Sequence, residues 1–356
     1  NMLNIIGIGP SKGDITLNAI KALKESNVII GYKKYIDSIN DLIDGKEIIK
    51  KGMGDEVARG ELAISKTLEG NNVAIISSGD PGVYGMANLI FQLIGKYEDI
   101  DVRVYPGVSA LNYSADLLGA PLHDFATISL SNLLTPLSEI QNKIEHAAKG
   151  NFIITVYNPI SKSRKEPFRL FKKILLDIRG SNTLVGIVDS TSYPSKTKIV
   201  KLINLDEEDI NMFSCLIVGN KLTYLSDGYM VTPRGYAIKN DIHPSSRNFY
   251  DNFFKSNTPV GPNLECEYYP CHYYGQNCDF CYCPFYPCGD GSTGGKWIKG
   301  KNIWSCEDCT WIHEKDAIDC VKKKFNDIVN DVDDLNRKKK ELLKLRRHCV
   351  LKTKKL

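Results

Sequence analysis

The chain has 356 residues, 42% of them hydrophobic, 25% charged and with a net charge of +4. No stretch approaches the ~20 uncharged apolar residues of a membrane-spanning helix, and the first residues lack the basic start and apolar run of a signal peptide. A soluble, cytoplasmic protein without a membrane partner is expected, with enough apolar material for two or three domains.

The first half alternates strands and helices. Leu3–Ile8 reads as a strand ending in the turn Gly7-Ile8-Gly9-Pro10, followed by a helix over Ile15–Lys24 and a short strand Val28–Ile30. Helical spacing continues over Glu56–Leu68, a strand over Val73–Ser77, a turn over Ser78-Gly79-Asp80-Pro81-Gly82 and a helix over Val83–Ile94. Val102–Tyr105 is a further strand, with Pro106-Gly107 leading into a helix over Ser109–Leu118. A second set comprises strands at Thr127–Leu130, Phe152–Val156, Leu184–Val188 and Leu216–Val218, with helices at Leu137–Ala148 and Glu166–Ile178. Short apolar strands alternating with helices predict an α/β fold with a largely parallel sheet.

The predicted organisation is an N-terminal α/β half over 1–119, a C-terminal α/β half over 120–238, a linker over 239–263, a cysteine-rich module over 264–320 and a basic helical tail over 321–356. The linker is polar, with Pro244, Ser245, Ser246, Pro259 and Pro262. From Val321 onward the tail carries 13 Lys and Arg against 5 Asp and Glu, so the body before it is mildly acidic.

Gly7-Ile8-Gly9-Pro10 invites comparison with a dinucleotide-binding loop. Pro10 removes a backbone N–H that a phosphate would use. The acidic ribose partner is also missing, because the second strand runs into Gly31-Tyr32-Lys33. Ser78 to Gly85 sits at the carboxyl end of a strand, where open α/β sheets bind ligands, and its small residues admit a close approach to the backbone. Asp80 offers a carboxylate there, or a helix N-cap. Pro106-Gly107-Val108-Ser109-Ala110 repeats the arrangement one strand later, so three turns at three strand ends point to one shared cleft.

These turns resemble the tetrapyrrole methylase family, and further runs carry the resemblance from Leu3 to Tyr236. They are Gly119-Ala120-Pro121-Leu122-His123-Asp124-Phe125, Ser129-Leu130-Ser131-Asn132-Leu133-Leu134-Thr135-Pro136, Tyr157-Asn158-Pro159, Ile217-Val218-Gly219-Asn220 and Met230-Val231-Thr232-Pro233-Arg234-Gly235-Tyr236. The resemblance is to the branch that methylates C(17) of precorrin-3B, or its cobalt-bearing counterpart, with ring contraction in cobalamin synthesis. It implies a tetrapyrrole methylase fold of two α/β domains with S-adenosylmethionine in the cleft between them, and a homodimer. It places Pro10, Gly79, Asp80, Val83, Ser109, Ala110, Tyr157 and Gly219 at the cofactor. Ser11 and Asn132 depart from the family pattern, which often has Gly and Asp there.

A corrin precursor carries several carboxylates, and Lys162, Arg164, Lys165 and Arg169 are candidates to bind them. Methyl transfer from a sulfonium needs in-line positioning and exclusion of water more than covalent help. His123 is the candidate for proton transfer during ring contraction. Alternatives are another methylase of the family, of the diphthine synthase type, and a nucleic-acid-binding protein built on the module and basic tail. Asp327, Asp331, Asp333 and Asp334 would repel phosphate and count against nucleic acid.

Eight of the 11 cysteines fall between Cys266 and Cys309, in the pattern Cys266-x4-Cys271-x6-Cys278-x2-Cys281-x-Cys283-x4-Cys288, then Cys306-x2-Cys309. This crowding suits a metal module better than a secreted disulfide framework. Eight thiolates close two four-coordinate sites, with zinc as the plain reading and an iron–sulfur cluster as the rival.

Overall fold

The computed structural model describes residues 1–238, 242–256 and 260–356. The chain divides into two compact units, Asn1–Asp116 and Leu117–Leu356. The first contains β1 (Met2–Gly7), α1 (Leu17–Glu25), β2 (Val28–Tyr32), α2 (Lys33–Asp37), β3 (Glu47–Lys51), α3 (Glu56–Leu68), β4 (Val73–Ser77), α4 (Ala87–Ile94) and β5 (Asp101–Tyr105), and α5 (Ala110–Leu118) runs across the boundary. The strands form one parallel sheet in the order β3-β2-β4-β1-β5.

Both faces of this sheet are covered, which explains why its strands read as continuous apolar runs. Leu3, Ile5, Val28, Ile30, Val73 and Ile75 pack with Ala63, Ile64 and Ile90 on one face. Ile6, Ile29, Ala74 and Ile76 pack with Ala19 and Leu23 on the other. Each buried Val, Leu or Ile among them contributes about 1.5–3 kcal/mol by leaving water. Thr16 starts α1 by accepting a hydrogen bond from the Ala19 N–H at 3.2 Å.

Two details differ from expectation. β3 is an additional edge strand, hidden in the sequence by its charged residues Glu47, Lys50 and Lys51. Helix α4 starts at Ala87 rather than Val83, because residues 81–86 remain in turns.

The second unit continues with β6 (Phe125–Ser129), α6 (Leu137–Lys149), β7 (Ile153–Tyr157), α7 (Glu166–Arg179), β8 (Leu184–Asp189), β9 (Lys196–Lys201) and β10 (Ser214–Val218), in the sheet order β6-β7-β10-β8-β9. A largely parallel sheet is not what forms here. β6 and β7 are parallel, whereas β10 runs antiparallel to β7 and β8, and β9 antiparallel to β8. The link from β8 to β9 carries no helix, and a short connection reverses the chain. β9 is an exposed, lysine-bearing edge strand, a pattern that discourages pairing with other chains and disguises the strand in the sequence.

Beyond the sheet lie the hairpin β11 (Tyr224–Ser226) and β12 (Tyr229–Val231), α8 (Pro244–Phe254), the hairpin β13 (Lys296–Ile298) and β14 (Ile303–Ser305), and α9 (Lys315–Ile328), α10 (Asp334–Arg337) and α11 (Lys339–Thr353). Asp227 and Gly228, both at positive φ, make the first hairpin's two-residue turn. The linker expected over 239–263 includes residues 239–241 and 257–259, which lie outside the described residues; α8 occupies its centre.

The basic tail is helical, as expected, but one face of it is buried rather than solvated. Leu342, Leu343, Leu345, Cys349 and Val350 of α11 join Tyr250, Phe280, Phe285, Trp304, Trp311 and Phe325 in one core. Cys320 of α9 is disulfide-bonded to Cys349 of α11. The Arg347 guanidinium donates to the Pro233 carbonyl at 2.8 Å and Lys354 to that of Lys221 at 3.0 Å, tying the tail to the segment after β10.

Candidate functional site

The order of the first sheet sets up the kind of topological switch point at which open α/β sheets commonly bind ligands. From β1 the chain crosses toward β2, whereas from β4 it crosses the other way to β5, so the adjacent strands β1 and β4 flank a topological switch point. The turns after β1, β4 and β5 meet there. Gly9 and Gly79 exchange backbone hydrogen bonds at 3.2 and 3.3 Å. One Asp80 oxygen accepts from the Gly82 N–H at 2.8 Å and the other from the Gly107 N–H at 3.1 Å. Asp80 therefore fastens two turns together and is not the cap of α4, whose N-cap is Met86.

Glycine is required at this junction. A Cβ on Gly107 would stand 2.1 Å from the Gly79 carbonyl oxygen, and one on Gly7 would stand 2.7 Å from the same atom. The buried Ser109 hydroxyl donates to the Asn112 side chain at 2.9 Å and accepts from its N–H at 3.4 Å, fixing the start of α5. Pro10, Gly79, Asp80, Val83, Ser109 and Ala110 thus belong to one loop cluster of the first unit, and Tyr157 and Gly219 belong to the second.

In the second unit, Gly219 is buried beside Thr223; its N–H donates to the Leu184 carbonyl at 2.8 Å and its carbonyl accepts from Arg179 at 2.9 Å. Arg179 is 2% exposed and also donates to the carbonyls of Ala147 and Phe152. Burial pulls its pKa down to about 10.

The four candidate substrate cations are not equivalent. Arg169 grips Glu207 through two nitrogens at 2.9 and 3.0 Å, and Lys165 reaches the same carboxylate at 3.3 Å. The Arg164 guanidinium donates to the carbonyls of Leu130 at 2.7 Å and Asn158 at 3.2 Å, bracing the loop. Lys162 is exposed. His123 is half-buried, and its Nε2 has no hydrogen-bond partner. Burial, and then the charge of Arg234, hold its pKa below the usual histidine value, so the ring is neutral at pH 7.

The eight module cysteines are all free thiols. Cys281, Cys283, Cys288, Cys306 and Cys309 line one cavity together with His272 and His313. Burial, then Cys278, Cys271 and Cys266, push Cys281 up to about 11. Burial, then Cys306, Cys288 and Cys309, push Cys283 well above the ordinary thiol value. The pairs Cys278/Cys281 and Cys306/Cys309 each span a tight turn closed by a backbone hydrogen bond, at 3.1 and 2.9 Å. Among the described residues, no three Cys, His, Asp or Glu side chains gather closely enough to hold one metal ion. Cys271 receives a hydrogen bond from the Gln276 amide at 3.1 Å and lies 3.3 Å from His272 Nδ1.

Residues 2–205 match the family model for tetrapyrrole (corrin/porphyrin) methylases. A probable cobalt-factor III C(17)-methyltransferase of Methanothermobacter thermautotrophicus is 54% identical over 355 residues, which cover 99% of this chain and 100% of that protein. The chain is a tetrapyrrole methylase. A protein of the same description from Salmonella typhimurium is 43% identical over 241 residues, 67% of this methylase and 100% of the relative. The crystal structure of the methyltransferase CobJ aligns with a TM-score of 0.63 at 30% identity, over 65% of the methylase and 100% of that chain. Residues 257–336 match a second model, a cysteine-rich small domain. No helix among the methylase's described residues is long and apolar enough to cross a membrane.

Sequence reasoning found the methylase's turn residues but missed the groups that brace them. Arg179 looks like any last-turn cation of an amphipathic helix, and nothing in its neighbours signals three carbonyl partners. Lys339 and Arg346 are buried at 4% and 3% exposure in a tail whose composition reads as solvated.

Proposed function

We propose that this methylase transfers the methyl group of S-adenosylmethionine to C(17) of a cobalt-bearing corrin precursor, with contraction of the macrocycle, in cobalamin biosynthesis. The full-length 54% identity to the Methanothermobacter protein carries this reading. In it, Pro10, Gly79, Asp80, Val83, Ser109 and Ala110 bind the cofactor, joined by Tyr157 and Gly219. A junction built from glycine backbone, held rigid by Asp80, presents peptide groups at close range and leaves little to reorganise during reaction. The methyl donor supplies the electrophile, and the chain's task is orientation and exclusion of water.

Lys162 meets a substrate carboxylate, while Arg164, Lys165 and Arg169 shape the loop that carries it. His123 is neutral and has an unpartnered nitrogen, as a proton acceptor requires. The enzyme works in the cytoplasm as a homodimer. Its eight module cysteines hold metal, as zinc or an iron–sulfur cluster; paired thiols across tight turns support this reading.

The test is anaerobic incubation with labelled S-adenosylmethionine and either cobalt-factor III or metal-free precorrin-3B. Label in a ring-contracted cobalt product is expected. Turnover of the metal-free substrate alone would overturn the cobalt assignment. Tight cofactor binding with no turnover of either would remove the substrate assignment.

A further inference from the structure

Gly219 stands just past the end of β10, and the segment it opens runs through the hairpin β11–β12 to Pro233. That segment is held from two sides. On the side of the second sheet, the Gly219 N–H donates to the Leu184 carbonyl at 2.8 Å and the Lys221 N–H to the Asn151 side chain at 3.0 Å. On the other side stand the module and tail. Leu222 is fully buried, and the core it enters is the one formed by Phe285, Trp311, Ile312, Leu342 and Val350. A methylase side chain is thus plugged into the module three residues after Gly219.

Backbone contacts flank this plug. Lys354, half-buried just beyond α11, donates to the Lys221 carbonyl at 3.0 Å, its one hydrogen bond among the described residues. Arg347 donates to the Pro233 carbonyl at 2.8 Å. Gly291 of the module lies so close to Tyr224 that a Cβ on it would stand 2.5 Å from the ring. Leu356 fills the space that a side chain on Gly180 would need, one residue after the Arg179 that holds the Gly219 carbonyl. A half-buried ammonium that meets a carbonyl and no carboxylate gains little for itself. What the contact fixes is Lys221, two residues from Gly219.

We propose that the module and tail brace the loop after β10, with Lys354 and Leu222 as positioning residues that hold Gly219 in place for the methyl donor. This rests on the reading of Gly219 as a cofactor residue. Group transfer tolerates little slack, since a misplacement of about 1 Å can cost on the order of 10²-fold in rate. The loop's partners on the far side therefore bear on cofactor binding although none of them touches the cofactor. The brace gives the tail a task in methylation that is independent of what the cysteines hold.

The test uses the full chain and titrates S-adenosylhomocysteine by calorimetry, well below the melting temperature of every variant. K354M should raise the dissociation constant about tenfold, the scale of one lost charge-assisted hydrogen bond. K354R should restore most of the affinity. T353V serves as the comparison, because the Thr353 hydroxyl accepts from the Trp311 indole N–H at 2.9 Å and makes no contact with the loop. T353V should lower the melting temperature and leave the dissociation constant where it was. Unchanged affinity in K354M would overturn the brace and leave the cofactor reading standing. Equal weakening in T353V and K354M would also overturn it, since any loosening of the tail would then suffice. Failure of the unaltered chain to bind S-adenosylhomocysteine would overturn the cofactor reading and the brace together.

Discussion

The carboxylate of Asp80 accepts the backbone N–H of Gly107 across 27 residues of chain, at 3.1 Å, while its other oxygen holds Gly82 at 2.8 Å. One side chain therefore sets the spacing of two turns that are proposed to bind the methyl donor. D80A leaves two N–H groups without their charged acceptor, at a cost of about 1.5–3 kcal/mol. A tenfold or greater rise in the dissociation constant for S-adenosylhomocysteine is expected, read by calorimetry. Unchanged affinity would show that the turns hold their positions without Asp80.

Arg179 illustrates a different kind of dependence. Its guanidinium satisfies the carbonyls of Gly219, Ala147 and Phe152 inside the second unit. R179M removes all three donors at once and should destabilise the protein by about 3–5 kcal/mol. Chemical denaturation would show a lowered midpoint. R179K, with a single ammonium, should recover only part of the loss.

His123 gives a prediction in pH. Its folded pKa lies below the ordinary value, so the folded protein binds this proton less readily than the unfolded chain. The stability associated with the neutral ring is fully present above about pH 6.5 and declines as pH falls below that toward the folded value. H123N should flatten that slope in melting temperature. If His123 moves a proton in turnover, the same variant lowers kcat by on the order of 10²-fold with KM little changed. A flattened slope with unaltered kcat would leave the residue purely structural.

Glu207 behaves in the opposite chemical class. Hydrogen bonds from Arg169 and then Lys165 hold its carboxyl down to about 2. Its contribution is present above the ordinary carboxylate value near pH 4.5 and is lost as pH falls toward about 2. E207Q should lower the melting temperature at pH 6, and the difference from wild type should shrink in acid. A difference that stays constant with pH would mean that the ion pair is not responsible.

How much of this was legible in the sequence differs by region. Buried strands such as β1 and β4 announce themselves, because a sheet covered on both faces needs apolar residues at every position. β9 does not, since Lys196, Lys198 and Lys201 lie on an exposed edge, and without it the second sheet reads as parallel. The glycine turns were readable, as small residues in that pattern have few other uses. Their mutual contact was not, because it depends on three segments far apart in the chain. Lys339 and Arg346 were invisible for the same reason: what makes a lysine buried is the Phe285 and Tyr286 backbone some fifty residues earlier.

The near-contact of Gly7, Gly79 and Gly107 has a consequence for recombining this enzyme with its relatives. The three turns come from separate strands but share a space that does not admit a single Cβ at Gly107. A hybrid whose breakpoint falls between β1 and β5 would assemble the junction from two parents, each adjusted to its own version. Breakpoints within α5, near the boundary at Asp116, keep all three turns from one parent. Hybrids cut there should fold far more often than those cut at any earlier surface loop, including loops whose own sequences look freely exchangeable.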